Sequence, residues 1–113
     1  MDFQLGDIFL TSFYPSIGKE YQKVRPALVI QDEKISKNSP YITILPITTN
    51  LKLGRNPNVF IPRDHKNNLK DDSVIIVRQI SSFDKTRFIK KIGEANSPVL
   101  RQVRGYLRRH FKL

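Results

Sequence analysis

Residues 20–31 read EYQKVRPALVIQ, and they place a charged side chain where a buried strand begins. Arg25 is followed at once by Pro26, and then by the apolar run Ala27–Ile30. A short run of branched apolar residues with polar flanks is the pattern of a strand buried in a core. Proline is tolerated at the first position of such a strand, where no ladder hydrogen bond is lost. The arginine then has two readings. It is a solvated cation at a strand edge, or it is a functional group mounted on a rigid post.

Working outward, the first two-thirds of the chain continue as short strands. GDIFLTSFY (6–14), RPALVIQ (25–31), YITILPIT (41–48), NVFI (58–61) and DSVIIVRQI (72–80) are rich in Val, Ile, Thr, Phe and Tyr, and FIKKIG (88–93) extends the series. PSIGKE, EKISKNSP, KLGRNP and RDHKNNLKDD between them carry turn chemistry. Strands without alternating helices favour a small antiparallel barrel or sandwich over a parallel sheet.

The period changes near the C-terminus. Ser97 reads as a helix cap with Pro98 at the first helical position. Val99, Val103, Tyr106 and Leu107 then recur at helical spacing, and Leu100 and Phe111 widen the stripe. Arg101, Arg104 and Arg108 form a second, basic stripe. The whole reads as one mainly β domain over residues 1–113, closed by a C-terminal helix.

Composition narrows the chemistry. With no cysteine among 113 residues, disulfides, thiolate metal sites and cysteine nucleophiles are excluded. The N-terminus lacks a signal-peptide pattern and no apolar run approaches a membrane span, so the expectation is a cytoplasmic protein with no membrane partner. There are 20 Lys+Arg against 10 Asp+Glu, a net charge of +10. Residues 85–113 alone hold nine of the cations and a single acid, Glu94. Such an excess draws polyanions, nucleic acid foremost.

Metal and cofactor chemistry find little support. His65 and His110 have no carboxylate or histidine at ligand spacing, Asp71-Asp72 reads as the end of a turn, and the five glycines form no phosphate loop. GKEYQKVRP (18–26) and LPITTN (45–50) remain as a metal-free polar pair. If their strands pair, Arg25 and Thr48 face one opening. A guanidinium there can stabilise the phosphorane formed when a ribose 2′-hydroxyl attacks its own phosphate. A threonine can donate a further hydrogen bond, and a carboxylate such as Glu20 can orient or accept a proton. The residues alone leave this reading and a plain strand end both open.

At these residues the sequence resembles the MazF/PemK family of toxin ribonucleases. The matching blocks are GDIF (6–9), GKEYQKVRPALVI (18–30), ILPITTN (44–50), DDSVIIVRQI (71–80) and FDKTRF (83–88), in order and at compatible spacing. The resemblance implies a small SH3-like antiparallel β-barrel with a C-terminal α-helix, working as a homodimer. It also implies cleavage of single-stranded RNA at short sequences without a metal or cofactor, and neutralisation by a cognate antitoxin protein. By matching position, the catalytic arginine falls on Arg25, the catalytic threonine on Thr48 and the loop glutamate on Glu20. RNA contacts are expected from Lys19, Tyr21, Lys23, Thr49, Arg78 and Gln79. Two positions depart from the pattern: relatives often place an acid where Arg78 stands and a serine where Lys19 stands. Both changes add positive charge. Two other readings are carried beside it: a non-catalytic toxin of the same fold acting on gyrase or another protein, and a plain basic nucleic-acid-binding module.

Overall fold

A computed structural model of the chain describes residues 1–13, 23–54 and 57–113, with Lys23 by its backbone alone. Its strands are β1 (Asp7–Phe13), β2 (Lys23–Val29), β3 (Tyr41–Thr48), β4 (Val59–Ile61), β5 (Ser73–Ile75), β6 (Ser81–Asp84) and β7 (Phe88–Glu94). Two helices, α1 (Glu33–Lys37) and α2 (Ser97–Phe111), complete the main elements. Every pairing is antiparallel, in the order β4-β5-β3-β2-β1-β7, with β6 also on β3.

The central strands are apolar on both faces, which explains why Ala27–Ile30 shows no alternation. One face carries Phe9, Ala27, Val29, Ile42, Ile44 and Phe88, roofed by Phe3 from the N-terminal segment. The other carries Ile8, Leu28, Leu45 and Ile47, covered by β4, β5 and by Val99 and Val103 of α2. The sheet curls around the first cluster. Phe83 of β6 meets Phe13 of β1 edge to face at 5.0 Å, although β3 and β2 lie between those strands in the sheet. This is the SH3-like antiparallel barrel with a C-terminal helix that the family resemblance implied; the strand pattern by itself left barrel and sandwich open.

Three sequence expectations shift. The run 72–80 is strand only over Ser73–Ile75, then a tight turn at Val77–Gln79. Two elements went unread: α1, inside a stretch taken as a loop, and β6, whose SSFD is poor in strand formers. Finally, α2 is capped by Asn96, whose side chain accepts from the Val99 N–H at 2.9 Å; Ser97 is already helical. Phe111 is exposed, outside the packed stripe of Val99, Val103, Leu100, Tyr106 and Leu107.

Buried Asp7 ties β1 to β7 through Lys91, at 3.1 Å, and Lys91 also holds Glu94 at 3.0 Å. The Glu94 hydrogen bond, with Asp7 behind it, holds the Lys91 ammonium above the usual lysine range; in turn Lys91 holds the Glu94 carboxyl below the usual carboxylate range. Across the barrel, Asp84 is lowered by the Thr86 backbone N–H and hydroxyl as it caps the Lys85–Arg87 turn. That turn delivers Arg87, whose Nε donates to the Ser12 carbonyl at 2.8 Å while its guanidinium lies 4.3 Å from the Phe83 ring centre.

Candidate active site

The cleft originates in the backbone, where two strands part. The β2–β3 ladder ends at Ala27–Pro46. Pro46 at that last pair and Pro26 beside it have no N–H with which to carry the ladder further. Beyond it β3 changes partner, pairing Ile47 with Ile75 and Thr48 with Val74 on β5. Meanwhile β2 stays on β1 as far as Lys23 opposite Phe13. The opening between them is a cleft of about 250 Å³ lined by Val24, Arg25, Pro26, Ile47, Thr48 and Thr49.

Strand alternation decides which side chains share a face of it. Ala27 and Pro46 are level, so Arg25 and Thr48, each two residues further out, both follow the barrel-interior face. Thr11 lies opposite Arg25 on β1, fully buried, with its hydroxyl given to the Phe9 carbonyl. Arg25 itself is half-buried, as a long cation is when its stem lies on apolar surface and its head meets water. Among the described residues no carboxylate forms an ion pair with it.

Thr48 is fixed by a local turn. Its Oγ1 accepts from the Asn50 N–H at 3.2 Å, and Asn50 Oδ1 in turn accepts from the Lys52 N–H at 3.1 Å, capping the turn Leu51–Leu53. Accepting through oxygen leaves the hydroxyl proton of Thr48 to be donated outward. A permanently charged fork and a hydroxyl proton at one opening form a site for an oxyanion.

Of the expected site residues, Arg25, Thr48 and Thr49 come together. Arg78 and Gln79 do not line this cleft; both are exposed on the Val77–Gln79 turn, which is moored to β3 by the Ile76 N–H on the Pro46 carbonyl at 2.9 Å. Glu20, Lys19 and Tyr21 lie outside the described residues, as does the Lys23 side chain. Asp72 closes a turn as expected, accepting from the Arg63 N–H at 2.9 Å. Among the described residues no three His, Cys, Asp or Glu side chains gather at one point.

A second, larger cleft of about 510 Å³ adjoins the first and was not foreseen. It shares Val24, Pro26 and Thr49 with its neighbour and is walled on the far side by the 68–71 loop and by Lys90 and Ile92 of β7. Buried Asn67 shapes that loop, its Oδ1 accepting from the Asp64 and Leu69 N–H groups. Asn68 adopts φ 56° and donates from Nδ2 to the Ile92 carbonyl at 2.7 Å. Gly93 permits the close approach: a Cβ there would sit 2.5 Å from the Lys66 and Asn67 carbonyl oxygens. In sequence the loop shows only turn residues; its cleft-forming role depends on where β7 lies.

The class so defined is a small antiparallel barrel, capped by a helix, with a cleft lined by Arg25, Thr48 and Thr49 at a strand junction. The chain belongs to the family of PemK-like, MazF-like toxins of type II toxin–antitoxin systems, whose family model matches residues 4–111. It is 30% identical over 98 residues to the endoribonuclease MazF of Staphylococcus saprophyticus, covering 87% of this chain and 82% of that protein. A crystal structure of MazF from Deinococcus radiodurans superposes with a TM-score of 0.81 at 25% identity, over 100% of this chain and 99% of that one. A MazE–MazF crystal structure from the same organism matches with a TM-score of 0.76 at 25% identity, over 97% and 95%.

Proposed function

We propose that the protein is the toxin of a toxin–antitoxin pair, an endoribonuclease that cuts single-stranded RNA at short specific sequences without a metal or cofactor. The observation that carries this reading is the cleft of about 250 Å³ whose lining includes both Arg25 and Thr48. The relative from S. saprophyticus bears the name endoribonuclease, in keeping with it.

In the reaction, a ribose 2′-oxygen attacks the adjacent phosphorus while its proton passes to a base, the role assigned to Glu20. Arg25 neutralises the charge that gathers on the phosphorane oxygens, and the Thr48 hydroxyl donates to one of them. The bond to the 5′-oxygen breaks; that oxygen takes up a proton and leaves as a 5′-hydroxyl, with a 2′,3′-cyclic phosphate on the other fragment. Lys19, Tyr21, Lys23, Thr49, Arg78 and Gln79 hold the strand on either side. A single domain over residues 1–113, working in the cytoplasm as a homodimer blocked by its cognate antitoxin, completes the reading.

Incubation of the purified chain with a defined RNA in EDTA, followed by mapping of fragment ends, tests it. Fragments with cyclic phosphate and 5′-hydroxyl ends are expected, and Arg25→Ala should abolish them while leaving the circular dichroism spectrum unchanged. Cleavage by Arg25→Ala at the native rate would sink the mechanism.

A further inference from the structure

We propose that Pro26 is a positioning residue for the reaction: by carrying no N–H at one place on β2, it stops β2 and β3 from closing across the Arg25–Thr48 pair. The proposal rests on the endoribonuclease reading and adds to it what keeps the site open to a phosphate.

The first observation is register. Ala27, Leu28 and Val29 stand opposite Pro46, Leu45 and Ile44. Carried outward by the same step, Pro26 falls opposite Ile47 and Arg25 opposite Thr48. The two residues read as the active pair are thus cross-strand partners in a ladder that has stopped.

The second is the edge that each backbone group faces. The Ile30 N–H donates to the Thr43 carbonyl of β3 at 3.0 Å. The Val29 carbonyl faces the other way, accepting at 2.8 Å from the N–H of Gly6, just before β1. Alternation then turns the backbone groups of Leu28, Pro26 and Val24 toward β3, and those of Ala27 and Arg25 toward β1. Pro26 therefore stands where an N–H would be donated to the Ile47 carbonyl. With that bond made, Arg25 and Thr48 would form the next, closely spaced pair, their Cα atoms about 4.5 Å apart. The stem of the arginine would then lie on the threonine hydroxyl. Instead the two side chains line a cleft of about 250 Å³.

The third is that both flanks are otherwise ready to pair. β2 keeps its β1 partner as far as Lys23, opposite Phe13, and β3 stays extended on β5 to Thr48. Each strand is held from behind, and the edge they share is the open one. Val24, next on that edge, is 55% exposed. A strand edge left in this state is a template for pairing, and a proline is one of the devices that block it.

The test restores the missing N–H. In Pro26→Ala the new amide should be protected from hydrogen exchange like those of the β2–β3 ladder. KM for a cleaved RNA should rise about fivefold with kcat little changed, since one net hydrogen bond shifts a population by about that much and RNA enters the open form alone. Saturation with an oligomer that has a 2′-deoxy sugar at the cut should remove the protection, because binding and closure exclude each other. Pro26→Val puts the same N–H on a better strand former. It should show both effects more strongly, and it replaces the alanine variant if that one fails to fold. The α-hydroxy analogue of alanine at position 26 puts an ester where the amide stood; lacking the N–H, it should return KM to the native value. A position-26 amide that exchanges as freely as one in solvent would overturn the proposal. So would protection with KM unchanged. An ester variant as impaired as Pro26→Ala would overturn it by making the rigid proline ring the cause. Loss confined to kcat would do the same, since the effect would then lie in the chemical step. If the wild-type chain neither binds nor cuts RNA, the endoribonuclease reading falls and this role falls with it, although protection at position 26 would still show that the proline blocks closure.

Discussion

Thr48 has two duties that a substitution can separate. Its oxygen accepts from the Asn50 N–H and so sets the bend at the end of β3; in the proposed mechanism its proton is also the one offered to a phosphate. Thr48→Ser keeps both functions and should retain most activity. Thr48→Val keeps the shape but removes acceptor and donor together. Removal of one oxyanion donor costs on the order of 10²–10³ in kcat, whereas an exposed local hydrogen bond contributes about 1 kcal/mol to stability. Single-turnover rates and urea midpoints for the two variants separate these effects. Loss in Ser with activity kept in Val would show that the methyl group, and no hydrogen bond, is what matters. Sequence made Arg25 and Thr48 candidates but left their meeting conditional on strand pairing. The ladder that ends at Ala27–Pro46, and the alternation that follows, are what bring them onto one face. Arg78 and Gln79 were chosen by position in a motif, and a turn after β5 carries them outside the lining of the cleft.

At the scale of elements, legibility followed how much of each element's stability is local. β1, β2 and β3 are Val-, Ile- and Phe-rich and buried on both faces, so composition alone reveals them. β6 is strand because Ser81–Asp84 lies against Tyr41–Ile44, a tertiary cause that SSFD does not advertise. β5 stops at Ile75 because the next position on antiparallel β3 is Pro46, which has no N–H to return; Ile76 still donates to the Pro46 carbonyl at 2.9 Å, and the chain then turns. α2 was legible by period, but its start was misplaced by one residue because Ser97 and Asn96 are both good caps. The geometry discriminates: Asn96 Oδ1 takes the Val99 N–H at 2.9 Å. Asn96→Ala should therefore lower stability by about 1 kcal/mol, and Ser97→Ala should be close to neutral. Thermal or urea unfolding of the pair decides it; the reverse order would restore Ser97 as the cap. Because Val99 and Val103 pack beneath the sheet, loss of the cap should be felt by the whole fold, with little effect on kcat.

At the scale of the whole molecule, charge sets fold and function against each other. Twenty cations face ten acids, and the ion pairs found among the described residues both share Lys91. On α2 the exposed Arg101, Arg104 and Arg108 stand three and four residues apart, where like charges cost a few tenths of a kcal/mol per pair. Arg108 and Arg109 recover part of that at the helix C-terminus, where Arg109 also lies 4.6 Å from the Tyr106 ring centre. The repulsion is long-ranged and exposed, so raising salt from about 0.01 to 0.15 M, which shortens the screening length from about 30 to 8 Å, should relieve it. Net stability should rise, because the exposed Lys91–Glu94 pair that salt weakens contributes no more than about 1 kcal/mol, while the Lys91 pair with buried Asp7 is screened much less. The same salt should loosen RNA, raising KM with a log–log slope of about 0.7 for each phosphate held, while kcat changes little. Melting temperature and steady-state kinetics over one salt series are then expected to move in opposite functional directions. A melting temperature that falls with salt would mean that ion pairing outweighs repulsion across the surface. A KM indifferent to salt would mean that the excess of +10 solvates the protein and takes no part in holding its substrate.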